Sequence, residues 1–549
     1  MSSPLLGVAL LTGATAGLYG RVIGRFFTGD DTVYLQAVAT HSPLSYAFVP
    51  AVWQSVGWRF YTPWFLFTFD VDHALFGLDP RLYYVHQLLA LALASSLVFL
   101  LLSRWLPWGA ALAGAALFLV GPTVPSVAGA LWCRHYVEGL SLALLATMAF
   151  LASVERRSVP WSVAAAALYL GALTAKEIYV PLPFLLLALP EGHFRARVRA
   201  AAPLLGTLLA FALWRTYMLG GIVAGYDESS QRLSAIPGRA MLLFTSLPAL
   251  LFPGYSRLEV VAVAAIALTA VLLLVRRPRL LARVAWSAFL VALPLVPVAG
   301  NIQARYLFLP WAAVSVVAAL LLGRAVRLRP WGPFASALCL GLVGVLAVRG
   351  NRRAFREEQS IAVRSGAEGA FFFEKSLPGD VLRQPLEAEW LFGGLRWLRR
   401  NVAHRGEAGI VAYDDWAFCA PGPPGPSPPR VFEFSPAAGG VVESPGLADR
   451  IRSRCTERVR ADAPLDVRLS YDGRFLRWTL GPYRDGAWSF LTPGTFARYD
   501  FPASGTNRIP VTGDFLLTVR YASPEGWLAY SAPLTMHVAD GRGNLEWKR

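Results

Sequence analysis

Long apolar runs constrain this chain most, because an α-helix needs about 20 apolar residues to cross the hydrocarbon core of a membrane. These runs are confined to residues 1–350 and include Val85–Leu102, Trp108–Val120, Val137–Leu151 and Leu258–Val275. Only 16% of the residues are charged, whereas soluble domains carry about 25%. We therefore predict an α-helical polytopic membrane bundle over residues 1–350, with about eleven transmembrane helices.

The formal net charge of +16 comes from basic residues that mostly occupy short segments between apolar runs. This is the pattern of cytoplasmic loops in membrane proteins, so we do not predict nucleic-acid binding. Five basic turns are assigned to the cytoplasm: Arg104, Arg156–Arg157, Arg195–Arg199, Arg276–Arg279 and Arg324–Arg329. This assignment places the N-terminus in the cytoplasm and everything after about residue 348 outside, provided that Ala240–Pro253 does not cross.

After Asn351 the apolar runs cease and a different organisation begins. Residues 351–430 are predicted to be a mixed helical and strand connecting region, with a polar helix over Phe355–Glu374. Residues 431–549 are predicted to form a β-rich, sandwich-like external domain, because short alternating segments are separated by Asp-Gly and Pro-Gly turns. The predicted strands include Val467–Tyr471, Phe475–Leu480, Phe515–Tyr521 and Leu534–Val538.

The four cysteines divide between these regions. Cys133 and Cys339 belong to the membrane domain, whereas Cys419 and Cys455 belong to the external one. An oxidising periplasm permits a disulfide between Cys419 and Cys455. The alternative is two free buried thiols.

Adjacent carboxylates, Asp30 and Asp31, follow the first apolar run at the start of a long external loop, residues 26–83. Two such groups can ligate a divalent cation such as Mg²⁺ or Mn²⁺, or one can act as a general base while the other tunes its pKa. The alternative is a solvated turn with an aspartate as helix N-cap. A second acidic cluster, Asp70–His73, also fits either a metal site or an interfacial loop.

Basic side chains are predicted at the same membrane face. Lys176 and Glu177 lie between two apolar runs, where Lys176 can hold a phosphate that Glu177 orients, or the two can form a simple ion pair. Arg305, followed by Tyr306, is an external arginine suited to bidentate binding of a phosphate.

Arg134 and His135 also fall at an external helix start. Arg134 is a third candidate for phosphate binding, and His135 is either a base or ligand or a structural residue. These acidic and basic groups are far apart in sequence, yet the topology gathers them on one membrane surface. That arrangement suits a substrate with a phosphate and a hydroxyl to activate.

In the order of its motifs, residues 5–325 of the chain resemble the GT-C superfamily of membrane glycosyltransferases, specifically the protein-O-mannosyltransferase-like bacterial members. The motifs are the Asp30-Asp31 pair after the first helix, Tyr61-Thr62-Pro63, Phe76–Leu89, Leu173–Pro181 and Arg305–Pro310. Such members often have Tyr-Arg-Pro where this chain has Arg59–Pro63, which leaves the role of Arg59 open.

The resemblance implies transfer of a sugar, with inversion, from a polyprenyl-phosphate carrier to a glycan, lipid or protein acceptor at the external face. Asp30 would be the catalytic carboxylate, as base or metal ligand, with Asp31 beside it. Lys176 and Arg305 would hold the lipid phosphate, which is the leaving group.

Two other functions are compatible with the sequence. One is a catalytically inactive GT-C-like structural or binding component. The other is a lipid or glycolipid transporter, which predicts ionisable residues near the middle of the bilayer. The composition, rich in Ala, Leu, Arg, Gly and Pro, is typical of a bacterial protein, and we place it in the inner membrane.

Overall fold

The structure is a computed structural model whose chain forms two compact units. The first, the membrane unit, comprises Met1–Arg25, Ser42–Trp53 and Gly57–Arg356. The second, the sheet unit, comprises Phe26–His41, Gln54–Val56 and Glu357–Arg549. The structure describes residues 3–24, 27, 30–57, 60–221, 237–239, 241–243, 278–301, 303–325, 344, 371–372, 411–412, 419, 432–435, 440–443, 446–471, 475–492, 497–508, 513–539 and 542–547.

Helices dominate the first part of the chain. Within the described residues, the α-helices are α1 (Pro4–Tyr19), α2 (Asp31–Thr40), α3 (Pro43–Phe48), α4 (Pro50–Gly57), α5 (Pro63–Phe76), α6 (Pro80–Leu102), α7 (Trp108–Leu119), α8 (Val124–Ala128), α9 (Arg134–Arg156), α10 (Val159–Ala175), α11 (Leu182–Leu187), α12 (Phe194–Leu219), α13 (Pro278–Ala292), α14 (Phe308–Ala325) and α15 (Leu447–Arg458). Short 3-10 helices are Gly20–Gly24, Leu131–Cys133, Glu177–Tyr179, Leu293–Asn301 and Ala304–Leu307.

Five segments of the described chain are helical, long and apolar enough to cross a membrane. They are Pro4–Ile23, Pro80–Leu102, Leu131–Arg156, Phe194–Leu219 and Ala304–Leu321. The chain is therefore a multi-pass membrane protein. Three predicted apolar runs coincide with α6, α7 and α9, whereas the runs at 258–275 and, for the most part, 240–253 lie outside the described residues. The total number of crossings stays a prediction.

Small residues let the helices of the membrane unit approach closely. Helix α9 packs along α10 and α6, and α7 packs along α14. At Gly114 of α7, an added Cβ would lie 2.4 Å from the Cβ of Ala319 and 2.8 Å from a methyl of Leu102. A larger residue at position 114 would thus push α7 away from both neighbours, as expected where small side chains set the distance between membrane helices.

The sheet unit contains the strands of the described chain, together with α2 and α15. They are β1 (Phe371–Phe372), β2 (Val411–Ala412), β3 (Phe432–Ser435), β4 (Gly440–Glu443), β5 (Asp466–Tyr471), β6 (Phe475–Gly481), β7 (Ala487–Thr492), β8 (Ala497–Phe501), β9 (Ser504–Arg508), β10 (Gly513–Ala522), β11 (Leu528–Tyr530), β12 (Leu534–Ala539) and β13 (Arg542–Trp547). The larger sheet has the order β13-β12-β10-β7-β8 with β11 also on β10, and a second sheet has the order β5-β6-β9.

The two sheets share an apolar core, which makes them a sandwich. Strand β6 alternates buried and exposed residues and contributes Leu476, Trp478 and Leu480 to that core. The ring of Trp478 lies edge-on to Phe490 of β7, with 5.6 Å between centroids. The prediction of a β-rich domain is confirmed. The predicted helix over 355–374 is wrong at its C-terminal end, because residues 371–372 pair as a parallel strand with β2.

A disulfide links Cys419 to Cys455, a residue of the last turn of α15. The two Cα atoms lie 5.1 Å apart and the residues are separated by 36 positions. In the membrane unit, Cys133 is buried and is not part of a disulfide.

Candidate functional site

Three helix ends of the membrane unit carry the basic residues singled out above. Lys176 follows the last residue of α10, Arg305 lies in the 3-10 turn before α14, and His135 is the second residue of α9. We call Lys176, Arg305, His135 and the aromatic rings that contact them the cation cluster. Lys176 and Arg305 come from segments more than a hundred residues apart, and the fold brings them together.

Aromatic rings hold both cations of this cluster. The Lys176 ammonium lies 4.4 Å from the ring centre of Phe60 and 5.2 Å from that of Tyr136. The Arg305 guanidinium lies 4.1 Å from the ring centre of Trp132 and 5.1 Å from that of its neighbour Tyr306. Such distances are typical of cation–π contacts, which hold a charged group against the face of a ring.

The rings of Tyr136 and Tyr306 meet edge to face at 6.3 Å and so connect the Lys176 side of the cluster to the Arg305 side. Arg305 also donates to the side-chain oxygen of Gln303. Lys176 is 7% exposed, so its charge is largely withdrawn from bulk solvent. A charge in that setting attracts an anion more strongly than one in water.

His135 lies within electrostatic reach of both cations. Its ring contacts Phe65 at 5.0 Å and Tyr136 at 4.5 Å, and the residue is 7% exposed. Among the described residues neither ring nitrogen makes a hydrogen bond of good geometry, although the backbone of Trp132 faces the ring. A buried imidazole with unused hydrogen-bonding capacity beside two cations is suited to meet an anionic oxygen.

Glu177 turns away from its neighbour Lys176 and pairs with Arg215 of α12. Its Oε1 accepts a hydrogen bond from Arg215 Nε at 2.7 Å and another from the backbone N–H of Tyr61 at 2.8 Å. Trp214 donates to the Tyr61 hydroxyl at 3.0 Å. Burial raises the pKa of that phenol to about 12, so it stays protonated and donates to the carbonyl of Ala47. Glu177 therefore anchors the loop before α5 to α12.

Glu177→Gln is expected to lower the free energy of unfolding by about 1–3 kcal/mol, because Arg215 loses the charge that opposes it in a mostly buried site. Titration of the protein from mixed micelles into denaturing detergent measures this change. The matched control is Glu155→Gln, whose ion pair with Arg104 is 48% and 32% exposed at the two side chains. Equal losses of free energy of unfolding in both variants would mean that the Glu177–Arg215 pair stabilises the protein no more than the exposed Glu155–Arg104 pair.

Arg134, predicted to bind phosphate, is wholly buried and already engaged by carboxylates. Its Nη1 lies 2.6 Å from Asp72 Oδ2, and its Nε lies 3.9 Å from Glu138 Oε1. His86 links the same two carboxylates, with Nδ1 2.8 Å from Asp72 and Nε2 3.5 Å from Glu138. We call Asp72, His86, Arg134 and Glu138 the buried ion network.

The sequence does not predict that Asp72, His86 and Glu138 surround Arg134. The sequence singles out Asp72 only as part of the cluster Asp70–His73, and that stretch lies within helix α5 and is not an interfacial loop. For Glu138 a signal existed, since it lies four residues after Arg134 inside an apolar run, the spacing of an ion pair along a helix. For His86 the signal was a single imidazole within an apolar helix.

Asp30 and Asp31 belong to the sheet unit, at the beginning of α2. Asp30 occupies the N-cap position, but its side chain makes no capping hydrogen bond, and Asp31 is fully buried in the first turn. The described residues contain no group of three or more His, Cys, Asp or Glu side chains able to hold a metal ion. A divalent cation at this pair would thus need further oxygen ligands from a substrate or water, and it stays a prediction. Arg59 lies outside the described residues.

No family model and no curated protein matches the chain. One similar solved structure is the crystal structure of ArnT from Cupriavidus metallidurans in the apo state, which is 17% identical. The match covers 79% of this chain and 94% of that chain, with a TM-score of 0.37. With a TM-score that low, the similarity gives no information about the activity of this chain.

Proposed function

We propose that the chain is a GT-C-type glycosyltransferase that moves a sugar from a polyprenyl-phosphate carrier to an acceptor hydroxyl at the external face of a bacterial inner membrane. The observation that carries the proposal is that Lys176 and Arg305 lie against Tyr136 and Trp132, the rings that flank the start of α9 beside His135. Both cations lie at ends of apolar helices, which is the depth at which the phosphate of a membrane-anchored lipid resides.

The proposed reaction is a single displacement. The acceptor oxygen forms a bond to the anomeric carbon, and its proton passes to the Asp30 carboxylate. The bond from the anomeric carbon to the phosphate oxygen breaks, and its electron pair leaves with polyprenyl phosphate. Attack from the face opposite the phosphate inverts the anomeric centre. Lys176 and Arg305 offset the charge on the leaving group, and His135 donates a hydrogen bond to it.

Binding of polyprenyl phosphate to the purified protein in nanodiscs tests the cationic half of this proposal. Lys176→Met and Arg305→Met should each weaken binding about 10- to 100-fold, because each removes a charge-assisted hydrogen bond. Arg156→Met is the matched control, since Arg156 also lies over an indole ring, 5.4 Å from the centre of Trp161, at the opposite end of α9.

Polyprenyl alcohol, which has the same chain without the phosphate, should bind weakly to every variant. Equal binding of the alcohol and the phosphate by the wild type would contradict the proposed phosphate site. Tight binding of the phosphate without any sugar turnover would instead favour the catalytically inactive component.

A further inference from the structure

The buried ion network joins three helices at the point where α9 begins. Besides Asp72 and Glu138, the Arg134 guanidinium donates to the backbone carbonyl of Tyr83 at 3.1 Å and contacts that of Thr68 at 3.4 Å. Thr68 and Asp72 belong to α5, Tyr83 to α6, and Glu138 to the second turn of α9 itself. One side chain therefore ties α5 and α6 to the first turn of α9.

A single face of α5 contacts both the network and the cation cluster. Phe65, Phe69 and Asp72 are spaced i, i+4 and i+7, so they line one side of that helix. Phe69 lies under the Arg134 guanidinium at 4.8 Å, and Phe65 contacts Phe69 at 4.9 Å and the His135 ring at 5.0 Å. A shift of α5 relative to α9 would thus move Arg134 and His135 together.

A second contact fixes the rotation of α9 against α5. Trp64, in the first turn of α5, donates from its indole N–H to Glu138 Oε2 at 3.1 Å. Glu138 lies four residues after Arg134, so both side chains leave the same face of α9. The bonds of Trp64 to Glu138 and of Asp72 to Arg134 are directional, so together they allow only one register of α9 against α5. Apolar packing alone would specify that register less strictly.

We infer that Asp72, Arg134 and Glu138 are positioning residues that fix the register of the start of α9 against α5. In that register the rings on either side of Arg134 present Lys176 and Arg305 to the carrier phosphate. This inference rests on the proposed function for the ligand, but the register itself does not depend on it. Trp132 and Tyr136 flank Arg134 by two residues on either side, and these are the rings against which the two cations lie.

Cys133 provides a readout of this register that needs no activity. It is fully buried and immediately precedes Arg134. In a Cys339→Ser background, with the Cys419–Cys455 disulfide intact, Cys133 is the remaining thiol. Asp72→Asn should raise its rate of labelling by N-ethylmaleimide about tenfold or more, since the charge that holds Arg134 is gone while the side-chain shape is kept.

Binding of polyprenyl phosphate supplies the second readout. Asp72→Asn should weaken binding about tenfold, and Asp72→Glu, which keeps the charge, should recover most of it. In a Lys176→Met/Arg305→Met background, Asp72→Asn should weaken binding by less than about twofold further, because both contacts that the register positions are already gone. Glu155→Gln should change neither labelling nor binding. Thermal unfolding of each variant, measured in parallel, ensures that folded protein is compared.

The outcomes distinguish the positioning inference from the proposed function. Unchanged Cys133 labelling in Asp72→Asn would overturn the positioning inference, whatever the wild type binds. Additive losses of binding in the variant that lacks both cations would overturn it as well, because Asp72 would then act independently of Lys176 and Arg305. Failure of the wild type to bind polyprenyl phosphate, with faster labelling in Asp72→Asn, would overturn the proposed function and leave the register intact.

Discussion

Asp30→Asn is expected to abolish sugar transfer, lowering turnover about 10³-fold or more, while the variant still binds polyprenyl phosphate. Asparagine cannot accept the proton of the acceptor hydroxyl, but it has the size of aspartate and remains a good residue at a helix start. The expectation follows from the role of base that we propose for Asp30. The phosphate should bind normally because its proposed ligands, Lys176 and Arg305, are unchanged.

The structure gives a reason to expect the Asp30→Asn protein to fold. The backbone carbonyl of Asp30 accepts from Val33 and Tyr34, and the substitution preserves both hydrogen bonds. Asp31→Asn is the informative contrast. Asp31 is fully buried in the first turn of α2, where a negative charge is favoured by the helix dipole, so that variant should lose stability as well as activity.

Release of free polyprenyl phosphate from radiolabelled polyprenyl-phosphate hexoses measures turnover from the donor side. Water takes the place of the acceptor hydroxyl in this assay, so the acceptor need not be identified. Wild type and Asp30→Asn are compared in nanodiscs at equal folded concentration, with carrier binding measured on the same samples. Turnover by Asp30→Asn at the wild-type rate would remove Asp30 from the mechanism. Loss of wild-type turnover with EDTA, restored by Mg²⁺ or Mn²⁺, would show that a divalent cation is required and would favour Asp30 as its ligand over Asp30 as the base.

The membrane helices and the strands were predictable because their signals are local. An apolar run such as Val85–Leu102 must become a helix in lipid, where every backbone polar group needs an internal partner. In β6, apolar and polar residues alternate, which places Trp478 on the inner face of the sandwich whichever strand pairs with β6. These inferences need only the spacing of residues within one segment.

The side-chain partners at the site were not predictable, because they depend on which helix ends the fold brings together. The sequence allows Glu177 either to orient a phosphate held by Lys176 or to pair with Lys176 itself, yet Glu177 binds Arg215, 38 residues further on. Arg134 is predicted to bind phosphate at an external helix start, yet Asp72 and Tyr83 reach it from α5 and α6. Spacing along the chain contains no information about such contacts, which fix the charge of the site.

The disulfide Cys419–Cys455 is expected to stabilise the sheet unit strongly. Closing a loop between residues 36 positions apart removes freedom from the unfolded chain, and the loop-entropy relation gives about 4 kcal/mol for that length. The double variant Cys419→Ser/Cys455→Ser should therefore lose about that much free energy of unfolding in this unit. Cys339→Ser, which lies in the other unit by sequence, is the control.

Hydrogen exchange resolves the effect by unit, because protection reports the local free energy of opening. The end of α15 is attached to the sandwich independently of the disulfide, since Arg458 Nε donates to the carbonyl of Gly526 and Arg460 N–H to that of Leu528, both at 2.8 Å. Strands β6 and β7 should thus remain folded in the double variant but exchange about 10³-fold faster, while α6 and α9 exchange as in the wild type. Unchanged protection in β6 and β7 would show that these bonds alone stabilise the unit. Faster exchange in α6 as well would show that the disulfide stabilises more than the sheet unit.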